Sequence, residues 1–179
     1  MLSNTANGYG LVSKLLHWLI ACCIIGLIGL GWWMVGLSYY DTWYHRGLEL
    51  HRAIGIVVLL MATVFVVWKI LSPSPGLQNE LKPWEKLGAR VAHILLLAAM
   101  FVIPLSGYVI STSSESGFTF FDLFEIPAIL PKSESSRDLA IAVHYYIAYG
   151  LVAVVAVHAG AAIKHQLIDK HGTLRRMLF

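Results

Sequence analysis

Four stretches without Asp, Glu, Lys or Arg organise the chain: residues 15–40, 53–68, 91–114 and 139–163. Three of them exceed the roughly 20 apolar residues that an α-helix needs to cross a bilayer, and each predicts a membrane-spanning helix. The second is shorter, but it spans if its helix begins between Trp43 and Leu48, with Arg46 and Arg52 reaching toward the interface along their aliphatic stems. The pattern predicts helices over about 12–38, 45–70, 87–111 and 138–165, in a single membrane domain covering 1–179. "LSPSPGLQNELKPWEK" (71–86), broken by Pro73, Pro75, Gly76 and Pro83, joins the second and third helices. The loop over 112–137 contains "FTFFDLFEIPAILP", an aromatic and apolar mix suited to the membrane interface. The expected fold is an all-α integral membrane protein, a four-helix bundle in contact with lipid.

Composition agrees: 58% of residues are hydrophobic, 13% are charged, and the mean hydropathy is +0.69. Charge then orients the bundle. With four spans both termini lie on one side. That side carries Lys14, Lys69, Lys82, Lys86, Arg90, Lys164, Lys170, Arg175 and Arg176 against three acids, a formal +6. The other side carries Arg46, Arg52, Lys132 and Arg137 against seven acids, a formal −3. The positive-inside rule makes the termini cytoplasmic, and the basic balance requires no nucleic acid. The first apolar stretch is too long for a cleaved signal peptide and lacks a small-residue cleavage pattern. Cys22 and Cys23, adjacent in the first helix, suggest packing residues.

The candidate chemistry lies in the histidines. His144 and His158 are fourteen residues apart in an otherwise apolar run. On a helix they stand about 21 Å apart and within about 40° of one face. The topology puts His17 level with His158 toward the inner side, and His51 level with His144 toward the outer side. Two level pairs of imidazoles inside a bundle are what two bis-histidine haems require. At i+4 the four carry Ala21, Gly55, Ala148 and Ala162, small enough to leave room for a porphyrin edge, whereas His45, His93 and His165 are followed by Glu49, Leu97 and Asp169. No C-x-x-C-H motif is present, so b-type haem held noncovalently is expected. His93 competes for either inner position or faces a second substrate. His165 and Lys164 form a protonatable rim suited to a quinone, and Arg52 and Arg90 could pair with haem propionates. A haem-free proton or metal pathway, and histidines that only brace helices, are the alternatives that the residues leave open.

The order and spacing of several short motifs resemble the bacterial four-helix cytochrome b561 proteins over essentially the whole chain. These are "LLHWLI" around His17, "LHRAIGIVVLL" around His51, "ARVAHILLLAAMFVIPLSGYVIS" with Pro104 to Gly107, "VHYY", and "VHAGAAIKHQLIDKHGTLRRML". The resemblance implies two haem b groups, held by His17 with His158 and by His51 with His144. It also implies oxidation of superoxide at the outer side and reduction of ubiquinone at the inner side. Many members have an arginine deep in the second helix where this chain has Phe65. Superoxide is an anion facing a net-negative side, so a local patch of Arg46, Arg52, Lys132 and Arg137 would have to attract it. A cytochrome b subunit docked to a redox partner protein within a larger dehydrogenase is the other electron-transfer reading.

Overall fold

The computed structural model describes residues 1–178 apart from Asn7 and Asn79. The four apolar runs form four long helices, α1 (Leu11–Val35), α2 (Tyr44–Leu71), α3 (Pro83–Thr112) and α4 (Glu134–Leu167), each long and apolar enough to cross a membrane. Most large apolar side chains point outward, Trp32 being 71% and Val35 85% exposed. Such a surface suits hydrocarbon, because a helix pairs its backbone polar groups internally and leaves only side chains to face lipid.

The tightly packed core is small and lies among three helices: Ile20 of α1, Ala62 of α2 and Met100 of α3, flanked by Ile24, Met61, Phe65 and Phe101. Contacts run from α1 to α2, from α2 to α3 and from α3 to α4, while α4 approaches α1 and α2 much less closely. Pro104 lies inside α3, where its missing N–H leaves the Met100 carbonyl without its usual helical donor.

Both ends of the bundle are closed by polar contacts. At the end carrying the termini, Asn4 ties α1 to α2: its backbone N–H donates to Ser72 Oγ at 2.9 Å and its side-chain amide to the Ser72 carbonyl at 2.8 Å. Its Oδ1 accepts from the Gly10 N–H and from Ser13 Oγ, and Trp68 Nε1 donates to Ser13 Oγ at 2.9 Å. A Cβ on Gly10 would fall 2.3 Å from the Leu2 carbonyl oxygen, so this clamp needs glycine there. The C-terminal tail, ending in the short helix α5 (Arg175–Leu178), folds back over the same end. Trp18 Nε1 donates to the Met177 carbonyl, and the Arg176 guanidinium donates to the Gly76 carbonyl.

At the opposite end, the aromatic loop forms an antiparallel hairpin of β1 (Phe118–Phe120) and β2 (Phe124–Ile126). Phe121 and Asp122 turn it with φ of 48° and 60°, a left-handed conformation that is costly for a bulky residue. Arg46 holds Asp122 at 2.8 Å, and the hairpin lies against α2. Composition suggested an interfacial segment; the pairing Phe118↔Ile126 gives that segment a definite register.

Candidate haem sites and the polar rim

Where α4 stands away from α1 and α2, histidines fill the distance. The His17 and His158 rings are 6.3 Å apart centre to centre, and the His51 and His144 rings 6.2 Å apart. With metal–imidazole bonds of about 2 Å and ring nitrogens about 1.1 Å from the ring centre, two imidazoles on opposite sides of one ion stand about 6.2 Å apart. Both separations fit an ion shared by the pair.

The pair toward the hairpin end is the more fully built. His144 Nδ1 lies 3.0 Å from the Ile103 carbonyl, which can only accept, so this nitrogen carries the proton and Nε2 keeps the lone pair that a metal needs. Ser106 Oγ lies 3.1 Å from the same nitrogen and donates to the same carbonyl at 2.8 Å. A Cβ on Gly107 would come within 3.3 Å of His144 Cε1, and one on Gly31 within 3.2 Å of His51 Cε1, so each ring edge rests against a glycine of a neighbouring helix. One turn beyond His51, a Cβ on Gly55 would meet nothing within 4 Å, and there is open space where a macrocycle edge would lie. His51 Nδ1 and Arg52 Nε are buried without a hydrogen-bond partner among the described residues. Arg52 also lies over the Phe118 ring at 5.8 Å, which leaves an inward cation for an acidic group. This donor set fits a haem with propionates.

Toward the termini the His93 ring lies 5.4 Å from that of His158, so α3 contributes a third imidazole at the His17 level. Arg90, one turn before His93, is exposed. Lys164 bridges two carboxylates, Glu85 of α3 at 2.9 Å and Asp169 beyond α4 at 2.7 Å. His165 Nδ1 meets Asp169 at 2.6 Å. Lys164, followed by His165, holds the Asp169 carboxyl below the usual carboxylate range. On the hairpin side, Arg46 is engaged by Glu49 and Asp122, whereas Arg52 forms no ion pair among the described residues.

Gly31, Ser106, Gly107 and Asn4 were not singled out in the sequence. Only "PLSG", a serine and a glycine beside an intrahelical proline, hinted at the second and third.

Residues 8–179 match the family described as "Prokaryotic cytochrome b561". The chain belongs to the prokaryotic cytochrome b561 family. It is 41% identical to "Cytochrome b561 homolog 2" of Escherichia coli (strain K12), over 98% of this chain and 94% of that protein. It is 27% identical to "Cytochrome b561 homolog 1" of the same organism, over 96% of this chain and 97% of the relative. It is also 24% identical to "Probable superoxide oxidase CybB" of Yersinia pestis, over 91% of each chain. As a cytochrome b561 it is a multi-pass bacterial membrane protein of electron transfer, and the family implies b-type haem.

Proposed function

We propose that this cytochrome b561 carries two b-type haems and passes electrons from an outer-side donor, superoxide, to ubiquinone at the inner side of the bacterial inner membrane. The observation that carries the reading is the presence of two histidine pairs, at 6.3 and 6.2 Å, at opposite levels of one bundle. His17 and His158 hold the group nearer the termini, and His51 and His144 the group nearer the hairpin. When bound, the two haems supply a one-electron path between the faces of the membrane.

The protein's own residues do the rest. Ser106 and the Ile103 carbonyl fix the His144 tautomer, and Arg52, next to His51, would supply the positive charge for a propionate. Oxidation of superoxide to O₂ releases no proton, so the hairpin end needs no acid or base. Reducing one ubiquinone takes two electrons, hence two superoxides, and two protons from the side carrying the termini. His93, Arg90, Lys164 and His165 line that approach, with His165 and His93 as proton donors. The basic excess at this end supports a cytoplasmic orientation of the termini. The named superoxide oxidase relative supports the donor assignment.

The test is stopped-flow haem reduction by a superoxide pulse. Rapid reduction that superoxide dismutase abolishes, followed by quinol formation, is expected. Arg52→Ala and Arg46→Ala should each slow reduction and weaken its salt dependence, Arg46→Ala because it leaves Glu49 and Asp122 unpaired on the donor side. Reduction indifferent to dismutase would remove superoxide as the donor.

A further inference from the structure

The tail after α4 brings together a set of ligands that electron transfer between haems does not use. Beyond Leu167 the chain reverses sharply. Lys170 and Gly172 take φ of 59° and 70°, and the His171 N–H donates to the His165 carbonyl at 2.8 Å. A left-handed lysine carries a backbone cost, and its effect here is to turn His171 back over α4. The His165 and His171 rings then stack nearly parallel, 12° apart in tilt with centres 5.9 Å apart, and Asp169 lies beside them.

We infer that His165, Asp169 and His171 form a site for a divalent transition-metal ion of the zinc class. One ligand atom from each residue lies within 4.8 Å of the other two. Tetrahedral zinc with bonds of about 2.0–2.1 Å separates its ligands by about 3.3 Å, so rotamer adjustments close the set around an ion. Among the described residues, His171 Nδ1 is buried with no hydrogen-bond partner. A metal taking the place of the hydrogen between His165 Nδ1 and Asp169 opens their 2.6 Å contact by about 0.7 Å. Two imidazoles and one carboxylate favour zinc over magnesium or calcium, which prefer oxygen ligands.

The surrounding contacts permit the exchange. Lys164 Nζ shares Asp169 with His165, but it also holds Glu85 at 2.9 Å, so it keeps a partner when the metal takes Asp169. Gln78 braces the loop from the other side: its side-chain amide donates to the His171 carbonyl and its Oε1 accepts from Thr173 Oγ1 at 2.9 Å. With three protein ligands, water fills the fourth position. A bound ion also occupies His165 and pins the tail over the inner face. Its effect on turnover, which rests on the proposed quinone approach, is to slow quinol formation while leaving haem reduction unchanged.

Equilibrium dialysis of the detergent-purified, haem-loaded full chain against zinc, with metal analysis, tests the site directly. One zinc per chain, bound at micromolar concentration and resistant to excess magnesium, is expected. His171→Ala and Asp169→Asn should each weaken binding at least about tenfold with the haem spectrum unchanged. X-ray absorption of the wild-type zinc complex should show two imidazoles in the coordination shell. Absence of zinc binding, binding equal in the His171→Ala variant, or a shell without imidazole would overturn the inference. Quinol formation slowed by zinc in wild type but not in His171→Ala is the expected kinetic result, and undiminished quinol formation in zinc-saturated wild type would refute the inhibitory role. No quinol even in zinc-free protein would instead be a failure of the quinone reading, with the dialysis result unaffected.

Discussion

At the scale of single residues, the hairpin-end histidine pair depends on side chains that do not themselves bind metal. His144 is oriented by a carbonyl and a hydroxyl from α3, and its ring reaches the bundle interior because Gly107 offers no side chain in its path. At 3.3 Å a methyl group would already crowd the ring, and a branched side chain would push it off its axis. Gly107→Val is therefore expected to lose one haem while the pair at His17 and His158 keeps the other, as a reduced-minus-oxidised spectrum of the purified variant would show. Loss of both, or of neither, would mean that the glycine contact does not position His144. Of these supports, Ser106 and Gly107 were hinted at only as part of "PLSG", and their contact with His144 was not legible. A glycine in an apolar run is compatible with many roles, and only the approach of a neighbouring helix says which ring it admits.

At the scale of elements, the four helices were legible because charge-free runs near twenty residues leave the backbone few options in lipid, but α3 starts at Pro83 instead of the expected 87, because Pro83, read as a loop breaker, occupies the first helical turn with Glu85 behind it. The connections were less so. The reversal at Phe121 and Asp122 uses left-handed residues outside the usual glycine and asparagine, so no turn signal announced the hairpin. The return of His171 onto His165 likewise depends on a left-handed Lys170. The tail is held by Trp18, Gln78 and Arg176, and its first turn against α4 by Asp169, whose carboxyl lies below its ordinary range because Lys164 and then His165 favour the charged form. A depressed carboxylate contributes stability fully above its unfolded pKa of about 3.9 and loses it as pH falls through the lower folded value. A probe at Leu178→Cys, with Cys22 and Cys23 replaced by serine, should hold its anisotropy from pH 8 to about 4 and lose it only below. Asp169→Asn, which keeps the contacts of Trp18, Gln78 and Arg176, should show the lowered acid-side anisotropy at every pH and no transition near about 4. A transition near pH 6 in the wild type would assign the clamp to histidine instead.

At the scale of the whole molecule, the distribution of packing is as informative as any motif. Three helices share a small core at Ile20, Ala62 and Met100, while α4 packs on α3 and meets α1 and α2 through histidine rings. A bundle that sets one helix apart forgoes dispersion energy unless something fills the distance, and in the proposed account b-type haem would fill it. The spacing of His144 and His158 was readable from helical geometry, but the separation between α4 and its neighbours was not, because no local pattern encodes a distance across a bundle. The most direct test is haem per polypeptide by pyridine haemochrome on detergent-purified protein, alongside His144→Ala and His158→Ala. Two b haems in the wild type, with each substitution depleting a different one, is the predicted result. No haem, or one haem that survives either substitution, would contradict the two-site account.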